Sequence, residues 1–181
     1  MSIPYKNYLV IFLTFSTNTA FAQSHCSNGE IDYFSCQIKG GHKVASLCGA
    51  KQEIDSSSNE WVQYRYGKIG KPELIYPLTK LNSAKKFENN YFNPHGIDAG
   101  VIDVRFINEK TLYSVSMSNR SNNHGKTYIS DAYVSFDNNK KSITLNCSKV
   151  KKSYWDSLYN MPSNRGMNTN FLDDFYKIHA K

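Results

Sequence analysis

The chain has 181 residues, with 22 Lys and Arg against 15 Asp and Glu, a net charge of +7, and 40% hydrophobic residues. That length fits one domain with enough chain to bury a core. Past the N-terminus no apolar run approaches the roughly 20 residues of a bilayer-spanning helix, so no transmembrane anchor is expected. The most compact basic block, Lys149-Val150-Lys151-Lys152, is too short to make a nucleic-acid face.

The first 22 residues read as a leader. Lys6 gives a charged start, Tyr8 to Phe15 is apolar apart from Thr14, and Ala20-Phe21-Ala22 is a small-x-small site before Gln23. This is the layout of a secretory signal peptide. The expected organisation is therefore a signal peptide over 1–22, cleaved after Ala22, and a single β-rich domain over 23–181, periplasmic or secreted. Gln23-Ser24-His25 before Cys26 does not match a lipid-modified cysteine.

Period-two alternation then recurs. Ile31 to Ile38 puts Phe34, Cys36 and Ile38 on one face, Gly40-Gly41 marks a turn, and Lys43 to Cys48 reads as the return strand. Trp61 to Tyr66 places Val62, Tyr64 and Tyr66 on one face and Trp61, Gln63 and Arg65 on the other. Glu73 to Tyr76 is a short strand stopped by Pro77. Residues 56–59 and 82–90 are expected as loops.

In the second half, Ile102, Val104 and Phe106 share a face, Asn108-Glu109-Lys110 makes a hairpin loop, and Tyr113, Val115 and Met117 return. Residues 118–126 read as a polar loop. Ala132, Val134 and Phe136, a turn at 137–140, and Ile143, Leu145 and Cys147 follow. About eight antiparallel strands of this kind point to a sandwich or small barrel.

The period changes to helical at Tyr154, Trp155, Leu158 and Tyr159 behind Ser153, and again at Phe171, Leu172, Phe175 and Ile178. Two short C-terminal helices are expected to cover an open end or a sheet edge. The sharper reading is a partner-binding helix.

All four cysteines follow the leader, so they meet an oxidising compartment and can pair. Cys36 and Cys147 both fall on apolar strand faces. A bond between them joins the first strand to the last, which leaves Cys26 for Cys48. The alternative pairs Cys36 with Cys48 across the first hairpin. No C-x-x-C and no zinc-ligand spacing is present, so no metal and no cofactor is expected.

Catalytic signatures are sparse. No H-E-x-x-H, G-x-S-x-G or phosphate-binding glycine loop occurs. His95 and Asp98 share one turn-rich loop and His124 lies in another, an arrangement that could serve a hydrolase but more commonly describes loop histidines in water. The most distinctive stretch is 61–77. Trp61, Gln63 and Arg65 on one strand face, with Glu73 after a tight glycine loop, could stack and hydrogen-bond a sugar, peptide or phosphate. The structural counter-reading pairs Arg65 with Glu73.

Phe34-Ser35-Cys36, Ser46-Leu47-Cys48, Tyr64-Arg65-Tyr66-Gly67 and Glu73-Leu74-Ile75-Tyr76-Pro77 follow in an order that resembles small exported bacterial β-rich proteins of unassigned function. The resemblance covers 26–77 and implies export and a β-rich domain. The general plan is also similar to periplasmic lysozyme inhibitors, which are small disulfide-braced β-barrels. That likeness is architectural: their inhibitory motif has no counterpart here, and no inhibitory residue is carried over.

The leading expectation is thus an exported binding protein, not an enzyme. It would be an inhibitor or immunity-type protein acting on a cell-wall hydrolase or toxin. Thirteen tyrosines favour a protein interface, and the positive charge favours an acidic partner over a basic one. The alternative is an envelope glycan or anionic-ligand binder using Trp61, Gln63, Arg65 and Glu73. A hydrolase built on His95, Asp98 and His124 comes third.

Overall fold

The structure is a computed structural model that describes residues 23–50, 60–93, 99–121, 126–138 and 140–165. The leader, the loop at 56–59, His95, Asp98, His124 and the expected helix at 171–178 lie outside the described residues.

Strands β1 (Glu30–Gln37), β2 (Lys43–Ala50), β3 (Val62–Lys68) and β4 (Lys71–Tyr76) form a four-stranded antiparallel meander in chain order. The second sheet takes β5 (Glu88–Phe92), β6 (Ala99–Asn108), β7 (Thr111–Ser121), β8 (Thr127–Asp137) and β9 (Ser142–Asn146) in order. The two-residue strand β10 (Asn164–Arg165) lies parallel to the outer side of β5. One α-helix, α1 (Tyr154–Tyr159), follows β9.

The two sheets face each other across an aromatic core. Tyr64, Tyr66 and Tyr76 of the first sheet meet Phe106, Tyr113 and Phe136 of the second. Tyr76 stacks on Phe106 at 4.7 Å, Phe106 stacks on Tyr113 at 4.9 Å, and Tyr66 meets Phe136 edge-on at 5.6 Å. Such stacked and edge-on pairs add to the stabilisation from burial itself. Tyr64 is fully buried, and its hydroxyl has no hydrogen-bond partner among the described residues.

Two disulfides brace this sandwich: Cys26–Cys48 and Cys36–Cys147. The second links positions 111 residues apart and joins the sheets at one corner. Backbone bonds reinforce that corner. Ile38 bridges Cys147, Lys39 N–H donates to Asn146 O at 2.8 Å, and Ser148 N–H donates to Gln37 O at 2.8 Å. Paired disulfides fit an oxidising, extracytoplasmic setting.

Three sequence expectations change: closure into a barrel, the loop at 82–90 and the loop at 118–126. The sheets do not close into a barrel, because β4 and β5 are not paired to each other; the crossover between them is a separate segment. Residues 82–90, expected as a loop, hold a 3₁₀ turn at Ser83–Lys86, the buried Phe87 and the start of β5. Of the two expected C-terminal helices, the first is α1, and the second lies outside the described residues. The β7–β8 hairpin also extends into the expected 118–126 loop, with β7 running to Ser121.

Candidate functional site

Alternation in β3 places Val62, Tyr64 and Tyr66 in the core and turns Gln63 and Arg65 to the opposite face. That face is not open. The segment 24–30, pinned by Cys26–Cys48, lies over it, and Gln63 and Arg65 are 4% and 8% exposed. Register puts Ser46 beside Arg65 and Ser35 beside Ser46, with Ile75 on the other side of Arg65, so the covered face has a polar centre with an apolar margin.

Its polar groups are satisfied internally. Arg65 Nη1 and Nη2 clamp the Glu30 carboxylate at 2.6 and 2.9 Å. Nη1 also donates to His25 O at 2.7 Å, and Nε donates to Gln63 Oε1 at 2.8 Å. Gln63 Nε2 passes the chain on to Pro77 O at 2.8 Å. Lys80 Nζ reaches Glu30 Oε1 at 2.9 Å and sits 4.2 Å from the ring centre of the half-buried Trp61. Burial alone would push the Glu30 carboxyl up. The Arg65 guanidinium, the Ser27 N–H and the Lys80 ammonium overcome it and hold the carboxyl at about 2, against an ordinary 4.5. Ser35 Oγ donates to Asp32 Oδ1 at 2.8 Å, and the Tyr154 hydroxyl donates to Asp32 Oδ2 at 2.7 Å, tying α1 to the same layer.

Glu73 is not part of this network. It is the extra residue of β4 opposite a bulge at Gly67, and its carboxylate pairs with Lys43 Nζ at 2.7 Å. Gly67 is required there: its φ is +143°, and a Cβ would lie 2.5 Å from Glu73 N. The structure therefore brings Trp61, Gln63 and Arg65 together with Glu30 and Lys80, and leaves Glu73 apart. What remains open is a cleft of about 350 Å³, lined by Glu30, Gln63, Arg65 and Lys80 with Pro72 and Ile75. Its two cations are already engaged by one carboxylate.

A second surface includes α1, which the sequence offered as a partner-binding helix, together with β5, which it did not. At the far end of the second sheet, β5 and α1 build an aromatic ledge. Tyr91, Phe92 and Tyr159 are 48%, 51% and 47% exposed. Tyr91 meets Trp155 edge-on at 6.2 Å and Tyr159 edge-on at 5.6 Å. The seat is specific. Gly100 on β6 lies under the rings, and a Cβ there would come within 3.0 Å of both Trp155 and Tyr91. Asn89 Nδ2 donates to Leu158 O at 2.6 Å, fixing α1 against β5, while Leu158 and Met161 are fully buried beneath it. The rings are thus held in place by the scaffold while half their surface stays in water.

No family model, no curated protein and no solved structure matches this chain.

Proposed function

We propose that this chain is an exported binding protein that recognises another protein through the ledge of Tyr91, Phe92, Trp155 and Tyr159, as an inhibitor or immunity-type protein would. One observation carries the reading: Tyr91 is held edge-on to Trp155 and Tyr159 on a braced scaffold, and Tyr91, Phe92 and Tyr159 are about half exposed. Aromatic anchors lose little conformational entropy on binding and dominate interface energetics. The leader pattern of Lys6, the apolar run and Ala20-Phe21-Ala22 supports export. A net charge of +7 favours an acidic partner, and repels a basic one such as many lysozymes.

The test is capture from an extracytoplasmic extract on the immobilised mature chain, at several salt concentrations, with quantitative mass spectrometry. A stoichiometric acidic protein is expected, and recovery of none would overturn the reading.

The open cleft favours a second reading, an envelope glycan or anionic ligand held beside Gln63, Arg65 and Lys80. In that case Lys80→Ala weakens binding of an anionic oligosaccharide without lowering the melting temperature. Equal binding by both proteins would rule it out.

A further inference from the structure

The last long hairpin is covered along half its length. β8 runs from Thr127 to Asp137, yet β9 pairs only with Tyr133–Asp137. The disulfide corner explains this. Cys147 N–H still donates to Ala132 O at 3.0 Å, but from there the chain turns away to Cys36, Ile38 and Gln37 of the other sheet. On the side away from β7, Thr127–Asp131 are left as a strand edge with no described strand beside them. A groove of about 270 Å³ separates that edge from segment 147–150, with Ile129, Ala132 and Val150 as apolar lining and Lys149 at its side.

A strand edge with free N–H and C=O groups is a template for another extended chain, and adding a strand is a common way to bind a peptide. The chemistry of the groove selects the occupant. Lys149 lines the groove, and Lys151, 5.4 Å from the Tyr154 ring centre, and Lys152 follow it in the chain; all three are exposed, and none forms an ion pair with another described residue. Asp131 is the one acid lining the groove. The local charge therefore asks for carboxylates. A second copy fits poorly, because each mature copy carries a net charge of +6 once Lys6 leaves with the leader.

We propose that an extended, acidic segment of a partner protein adds to the β8 edge at Thr127–Asp131. Its apolar side chains would lie against Ile129 and Val150, and its carboxylates would face Lys149. The inference rests on the protein-binding reading and adds the mode of engagement.

The probe is a panel of eight-residue peptides alternating Asp or Glu with Val, Ile or Tyr, titrated into the isotope-labelled mature chain. Two control panels replace the acids with Lys or N-methylate alternate residues along one edge. Acidic peptides are expected to shift the amide resonances of Thr127–Asp131 and to slow by about tenfold the hydrogen exchange of those amides that point away from β7. The Lys and N-methylated panels should do neither, and Lys149→Glu should abolish the effect. The proposal fails if no acidic peptide moves these amides, if the N-methylated panel binds equally, or if the amides become protected on raising the protein concentration alone. Failure here, with partner capture intact and dependent on Tyr91 and Tyr159, leaves the ledge standing. Failure of capture with the peptide result intact removes the ledge and keeps the edge.

Discussion

The outer face of the first sheet and the ledge at the end of the second are built from similar materials: aromatic rings with amide and cationic side chains nearby. They end in opposite states. On the first, Trp61, Gln63 and Arg65 are drawn into a network with Glu30, Lys80 and the backbone of His25, and the strap at 24–30 covers it. On the second, Asn89 and Gly100 fix the backbone and helix, and Tyr91, Phe92 and Tyr159 stay about half exposed. The difference lies in what covers a face. A polar strand face whose hydrogen bonds close within the molecule acts as scaffold, whereas apolar rings held open by a rigid seat offer binding energy to a partner.

The sharpest way to break this contrast is Arg65→Ala. It leaves the partly buried Glu30 with Lys80 as its one remaining cation among the described residues, and breaking such a pair from one side costs up to about 3 kcal/mol. Denaturant unfolding should show that loss. Unchanged stability would move Arg65 from scaffold to candidate ligand residue.

The same pair sets an acid limb. Folded Glu30 has the lower pKa, so the unfolded chain takes up its proton first and acid favours unfolding. The pair's contribution is complete above about pH 4.5 and is lost as pH falls toward about 2. Melting temperature against pH should fall through that window in the natural chain and less steeply in Arg65→Ala.

On the ledge the signs reverse. Tyr91→Ala with Tyr159→Ala should weaken partner binding by about 2 kcal/mol or more, the range of interface anchors. The melting temperature should hold, because both side chains are about half exposed. Gly100→Ala should act more mildly in the same direction, by about 1 kcal/mol, since a Cβ displaces Trp155 and Tyr91 together. Isothermal titration against the captured partner reads both variants.

The smallest effect is a gain. Tyr64→Phe removes a buried hydroxyl without a partner and should leave stability unchanged or raise it by up to about 1 kcal/mol. A clear loss would mean that the hydroxyl is satisfied in solution.

Much of the scaffold was legible in the chain. Period-two alternation placed Val62, Tyr64 and Tyr66 inward, and the apolar faces carrying Cys36 and Cys147 anticipated the bond that joins the sheets. What failed was long-range. Arg65 meets Glu30 across 35 positions, a pairing set by the strap and its disulfide. Nearby Glu73 is displaced toward Lys43 at the Gly67 bulge. Glu88-Asn89-Asn90-Tyr91-Phe92 shows no apolar alternation, so β5 read as a loop. Its place depends on pairing with β6 and on Asn89 holding the Leu158 carbonyl. The ledge stayed hidden for the same reason, since Tyr91 meets Trp155 and Tyr159 only after β5 and α1 are docked.

The most direct measurement is parallel capture from the extracytoplasmic extract with three proteins: the natural chain, the Tyr91→Ala/Tyr159→Ala variant, and a Lys43→Ala/Glu73→Ala variant that alters the exposed ion pair of the first sheet. The account predicts one stoichiometric acidic protein on the natural and Lys43/Glu73 chains, and its loss from the Tyr91/Tyr159 chain at unchanged melting temperature. Equal capture by all three, or loss on the Lys43/Glu73 chain alone, would contradict it.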